Sequence, residues 1–412
     1  MAHPRESDSH PARWRYLALL ATGELLGMSL WFAASAVAPQ LAAQWGLSAA
    51  QTAWLTTIVQ LGFVCGTAAA ALLNVADIIP SRLLFALAAT LGAIVNALVL
   101  LAPGYHPALL LRFLTGFALA GVYPPAMKMV ATWFQAQRGL AIGTVVGALT
   151  VGKATPYLVH AFPAAGAKPV LLIASMGALL AAALVGLFYH EGPYRFVPRR
   201  FSWSLVAAVA GIREWRLATG SYLGHMFELY AFWTWIPAFI AASAPNISKS
   251  SVSAIAFAAI AVGGAGCVWG GVSSDRLGRE RLVTISLLAS GACCLISGLV
   301  FGAPLWVLVS LSLIWGFFVI ADSAQFSTLV TESVPAYAVG TALTLQTSLG
   351  FLLTMLPMQL VPMSAQKSGW RWAFTTLALG PAVGVAAIRS LRRLRITHGT
   401  PVIPASPSGS IS

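Results

Sequence analysis

Charge is what this chain has least of. Only 8% of its 412 residues are Asp, Glu, Lys or Arg, against roughly 25% in an average soluble protein. A soluble globule cannot clothe its surface with so little, so a soluble domain, a disordered chain and a collagen-like fibre are excluded. Acids are the scarcer sign, 11 against 24 bases. Cysteine is scarce too. Cys65, Cys267, Cys293 and Cys294 all fall inside apolar runs, which argues against a disulfide framework and a zinc site. No nucleotide-binding loop occurs, so ATP is not the expected energy source. A membrane-embedded enzyme would want a clustered nucleophile and base, a His-x-x-x-His pair or paired aspartates at a helix end, and the sequence has none. No enzyme activity, cofactor or metal is expected.

What the chain has in plenty is apolar length. It is 58% hydrophobic, with a mean hydropathy of +0.81. A membrane helix needs about 20 apolar residues and a barrel strand only about 10 with alternation. The runs are long and uninterrupted, so the expected fold is all-α in a lipid bilayer. Twelve segments are read, at 16–38, 50–73, 83–102, 107–132, 139–161 and 169–190, then 217–242, 251–273, 282–302, 304–330, 338–362 and 372–389. The first resembles a signal peptide but is longer than a signal core and contains Glu24, so it is read as a retained helix. The expected organisation is a six-helix bundle over 1–190, a cytoplasmic linker over 191–216, a second bundle over 217–395 and a disordered tail over 396–412.

The net charge of +13 would suggest nucleic acid in a soluble chain. Here the bases sit in short segments between apolar runs, which is the positive-inside pattern. With a cytoplasmic N-terminus, 17 of the 24 bases fall in inner segments and 4 in outer ones. Both termini and the linker are therefore expected in the cytoplasm.

The second loop holds Asp77 and Arg82, and the eighth reads Gly271-Val-Ser-Ser-Asp275-Arg276-Leu-Gly278-Arg279. The two aspartates lie 198 residues apart, close to half the chain, so the halves are expected to repeat one architecture with a site between them. This loop, between helices eight and nine, resembles the loop motif of the major facilitator superfamily. Arg112-Phe-Leu-Thr-Gly116, Gly121-Val-Tyr-Pro-Pro and Arg138-Gly-Leu-Ala-Ile-Gly143 extend the resemblance, and the fourth and fifth helices are also similar to anion porters of the cyanate and nitrate type. The resemblance implies two pseudo-symmetric six-helix bundles in a bacterial inner membrane, working as a monomer. It implies a gating role for Asp77, Arg82, Asp275, Arg276 and Arg279, and a link to proton coupling for Arg112. The first loop departs from the pattern, with Ile78 and Pro80 where the motif has Arg and Gly. The fifth helix lacks the Gly-Pro-x-x-Gly-Gly string of the drug antiporters.

Six ionisable residues lie within apolar runs: Glu24, Arg112, Lys128, Lys153, Glu228 and Asp322. Each costs about 2.5–3.5 kcal/mol or more at a helix centre, so each is expected to face a cavity, a partner or both. Glu228 falls about 16 Å into helix seven with His225 one turn earlier, a candidate proton site together with Glu24. Lys153, about 21 Å along helix five, is expected to bind an anionic group or pair with Glu24. Lys128 near a helix end is expected to snorkel. Asp322 is a candidate inner gate. Trp31, Tyr123, Trp233, Trp235 and Trp315 are candidate cavity aromatics, and Lys153 and Arg112 the candidate substrate-binding cations. The expected function is secondary transport of a small organic solute with proton coupling. Arg112 and Lys153 favour an organic anion. Glu24 and Glu228 favour a cationic drug leaving by proton exchange. A non-transporting receptor on the same fold is the third reading.

Overall fold

The computed structural model describes residues 10–135, 137–162, 166–194 and 202–397, without the side chains of Asp77 and Asp275. The expected tail beyond Thr397 therefore lies outside the described residues, as does most of the arginine-bearing part of the linker. In chain order the long helices are α1 (Ala12–Met28), α2 (Ala49–Leu72), α3 (Ser81–Leu101), α4 (Tyr105–Ala131), α5 (Arg138–His160), α6 (Ala167–Phe188), α7 (Arg213–Ser243), α8 (Lys249–Leu277), α9 (Arg279–Ser297), α10 (Leu305–Ser333), α11 (Val339–Ser368) and α12 (Trp370–Thr397). Among the described residues, all but α1 and α7 are long and apolar enough to cross a membrane. α1 stops after 17 residues. α7 carries Arg213, Glu214, Arg216, His225 and Glu228, which lowers its hydropathy.

Three helices depart from the continuous runs read in the sequence. α1 ends at Met28, and the chain resumes as short helices Ala33–Ala36 and Ala38–Trp45. α4 breaks between Leu119 and Tyr123 because Pro124 and Pro125 follow, and proline removes a ladder donor and clashes with the preceding turn. α10 breaks at Asp322 without a proline. The linker also contains a helix, Trp203–Gly211, and α7 starts within the stretch read as linker.

The two halves repeat at an offset of 200 residues. Ser48 caps α2 and Ser248 caps α8, each accepting from the backbone three residues on, which satisfies an orphan donor of the first turn. A Cβ on Gly116 would meet the Val59 carbonyl oxygen at 2.1 Å, and one on Gly316 would meet that of Ala259 at 1.6 Å. The α4 break at Val122 maps onto the α10 break at Asp322. Small residues thus let α2 touch α4, and α8 touch α10, backbone to backbone, as membrane helices do when lipid gives no hydrophobic drive.

The halves meet along α5–α8 and along α2–α11. The α5–α8 seam is again glycine-lined, with Gly143 and Gly147 facing Cys267 and Gly264. Both ends of the described chain, near Ala12 and Thr397, lie on one face. There Arg395 of α12 reaches the starts of α7 and α9 and the end of α10, through Glu214 at 3.6 Å, Glu280 at 2.7 Å and Glu332 at 3.5 Å. In the first half, Tyr16 stacks on Trp133 at 4.3 Å and bonds His190 at 3.2 Å. A Cβ on Gly271 would lie 2.8 Å from the Gly139 carbonyl oxygen, which places these ends of both halves on the same terminal face.

Candidate functional site

The break in α1 is explained by Arg112. Its guanidinium is buried and donates to the carbonyls of Leu30 at 3.1 Å, Trp31, and Leu55 at 3.3 Å, and to Asn96 Oδ1 at 3.3 Å. A helix that stops in lipid leaves carbonyls without water. A cation at that C-terminal end satisfies them and meets the negative end of the helix dipole. Asn96 passes the network on, donating to the Leu171 carbonyl and to Ser175 of α6. The sequence points to Arg112 as a coupling or substrate residue. In the structure its donors instead form a clamp joining α1, α2, α3 and α4.

That clamp sets Trp31 between the halves. Lys153 of α5 is 2% exposed, about 22 Å from the start of its helix. Its ammonium lies 4.1 Å from the Trp31 ring centroid, 4.6 Å from Tyr230 and 5.4 Å from Trp233. It donates to the Tyr230 hydroxyl. Cation–π contacts of this kind are worth about 2 kcal/mol or more when desolvated. Phe63 of α2 and Phe351 of α11 close the cluster, 5.2 and 5.5 Å from Trp31. Lys153, Trp31 and Phe63 come from the first half, Tyr230, Trp233 and Phe351 from the second.

Several polar atoms around this cluster are buried without a hydrogen-bond partner: Nε1 of Trp31, Nε1 of Trp233, the Tyr157 hydroxyl and both carboxylate oxygens of Glu24. Buried polar groups are nearly always paired, so such a group marks a missing ligand, a water or stored strain. Glu24 and Lys153 flank one helix crossing, where a Cβ on Gly152 would meet the Leu25 carbonyl oxygen at 2.2 Å. They nevertheless form no ion pair within 4 Å, although each is close enough to act on the other's charge.

A second group of ionisable side chains lies within the second half. Glu228 Oε1 accepts from Trp315 Nε1 at 2.6 Å and Cys294 Sγ at 3.2 Å, and its Oε2 accepts from Ser290 at 2.7 Å. His225 does not join it: its Nδ1 lies 2.9 Å from Asp322, both residues 1% exposed. The contact with Oδ1 is an ion-pair distance without hydrogen-bond geometry, and the Nε2 of His225 and both carboxylate oxygens of Asp322 have no hydrogen-bond partner.

The structure brings Lys153 together with Trp31 and Trp233, two of the candidate aromatics, and adds Tyr230, which the sequence reading did not single out. Tyr123 stands at the margin, 6.4 Å from Phe63. Trp235 donates to the Met358 carbonyl at 2.8 Å, and Trp315 belongs to the Glu228 group. Of the gating candidates, Arg279 pairs with Glu332. Arg82 and Arg276 are exposed. Asp322 faces His225 rather than the basic loops. The side chains of Asp77 and Asp275 lie outside the described residues. The i, i+3 spacing of Tyr230 to Trp233 on α7 was the signal for Tyr230, but the chain has 14 Trp, 9 Tyr and 20 Phe, and spacing alone does not separate cavity from packing.

No curated protein matches the sequence. Two solved structures share the fold, each at 17% identity over 97% of this chain and 100% of the other. They are a bacterial homologue of the human lysosomal transporter Spinster in inward-facing, unoccupied conformation, with a TM-score of 0.72, and one in inward-facing, occupied conformation, at 0.68. The sequence profile described as Major Facilitator Superfamily matches residues 20–356 and again 218–405. With two six-helix halves repeating at 200 residues and the buried Lys153 cluster between them, this chain belongs to the Major Facilitator Superfamily.

Proposed function

We propose that the protein is a secondary active transporter that carries a small organic anion across a bacterial inner membrane by alternating access, coupled to protons. It works as a monomer with both termini in the cytoplasm. The observation that carries the reading is Lys153. It is a buried ammonium at the seam between the halves, held by three aromatic faces and a phenol, with no acid in ion-pair contact. An arriving carboxylate replaces the Tyr230 hydroxyl as its partner. The free indole N–H groups of Trp31 and Trp233 and the Tyr157 hydroxyl supply further donors, and the rings take up an apolar body. Contacts from both halves mean that a bound anion biases the equilibrium between their arrangements, as alternating access requires.

Proton coupling is assigned to the His225–Asp322 pair, because each member keeps an open position for a proton or water. Glu228 has both oxygens filled and acts as its neighbouring anchor. A second reading, export of a cation in exchange for protons, is favoured by Glu24, a buried acid with no partner.

Proteoliposome uptake tests the proposal. Lys153→Gln should weaken saturable anion binding at least tenfold, the scale of one lost charge-assisted hydrogen bond. His225→Asn should abolish accumulation driven by a pH gradient while leaving counterflow. Uptake of organic cations alone, with Lys153→Gln harmless, would replace the first reading by the second. Full accumulation by His225→Asn would remove the pair from coupling.

A further inference from the structure

The site holds one unused charge of each sign. The contacts of Lys153 are to rings and the Tyr230 hydroxyl, and the Glu24 oxygens make no hydrogen bond. Arg112, the other buried cation nearby, commits its donors to Leu30, Trp31, Leu55 and Asn96. A dianion would therefore meet only one free cation, and would also meet the carboxylate of Glu24. Two opposite charges on adjacent helices collapse onto each other unless something holds them apart. Here the backbones cross in contact at Leu25 and Gly152, one residue from each. Lys153 turns toward the second half while Glu24 remains in the first, fully buried.

We infer that the transported solute is a zwitterion. Its carboxylate is taken by Lys153 and its amine by Glu24, with an apolar side group against Trp31 and its neighbouring rings. This rests on the anion reading above and narrows it. The amine supplies the hydrogen bonds that the Glu24 oxygens lack. Binding also neutralises both protein charges at once, so the loaded site is electrically balanced. Tyr230 is released when the carboxylate displaces it, which frees a contact between the halves at the moment of binding.

Matched triads test this: for aryl, indole and branched aliphatic bodies, the carboxylic acid, the corresponding α-amino acid and the corresponding amine. Affinities are measured on purified protein by calorimetry and by inhibition of counterflow. In the wild type, the amino acid of at least one triad should bind ten times more tightly than its acid and its amine. Glu24→Gln should reduce the amino acid to the level of the acid and leave the acid unchanged. Glu24→Asp should restore much of the preference, which separates charge from folding. Equal affinity of acid and amino acid in the wild type, or an equal loss of both in Glu24→Gln, overturns the zwitterion and leaves the anion reading intact. If no acid and no amino acid binds, both fall.

Discussion

Arg112 shows how one side chain can be read two ways. A buried arginine in a membrane helix is costly and is by default a functional candidate, yet here each of its contacts is to the protein itself. The two roles differ in consequence. Arg112→Ala would leave the Trp31 carbonyl and the Asn96 amide oxygen without partners and the Leu30 carbonyl with only the 3.4 Å contact from the Ala33 N–H, at about 1–3 kcal/mol for each buried orphan. The solubilised variant should unfold at clearly lower temperature and bind no substrate, and Arg112→Lys should recover only part of the loss, because an ammonium cannot reproduce the guanidinium fork. Asn96→Ala should show a smaller decrease of the same kind. Normal thermal stability of Arg112→Ala, with transport alone lost, would return the residue to coupling. Glu228 is a milder case of the same contrast: its depth was legible, but its partners Ser290, Cys294 and Trp315 lie 62–87 residues away in sequence.

At the scale of the helix, length and hydropathy were legible, and the breaks were less so. The α4 break follows from two prolines. That of α1 is matched by a long-range partner, Arg112, which no local pattern encodes, and that of α10 falls at Asp322, the residue facing His225. Trp31, Lys153 and Trp233 could each be picked out from their chemistry, but not that they meet, nor that Tyr230 of α7 joins them. The glycines could be counted in the sequence; which partners they touch could not. They divide into two kinds with different expected effects. Gly316→Ala pushes α10 off α8 within one half, where the Cβ has 1.6 Å of room, and should prevent accumulation of folded protein. Gly147→Ala meets Gly264 across the seam between halves at 2.8 Å. It should fold, and should shift the population away from the state with α5 and α8 in contact. Distance measurements between spin labels on the two halves read that shift. Normal folding of Gly316→Ala would show that the within-half contact yields more easily than its backbone geometry implies.

For the whole molecule, the face opposite the termini is closed by polar contacts between the halves. Gln359 donates to Thr57 at 3.0 Å, and His160 meets Ser253 at 2.7 Å. Alternating access requires these to part. In a Cys65→Ser background, a disulfide between Thr57→Cys and Gln359→Cys should stop net transport, and reduction should restore it. Binding measured from the terminal face should survive the cross-link. Undiminished flux through the cross-linked protein would mean that this face does not open at α2 and α11.

The 200-residue repeat has one further consequence. The backbone contacts recur, but the buried charges do not: Glu24 maps onto Gly224, Arg112 onto Ser312, Lys153 onto Leu353, Glu228 onto Met28 and Asp322 onto Val122. The two halves share the contacts that hold each together and differ at the positions that carry buried charge. A symmetric pair would have to meet its cargo on the pseudo-twofold axis. Lys153 and Glu24 are confined to one copy and His225 and Asp322 to the other, so on the function proposed above one half would grip the solute while the other would carry the proton.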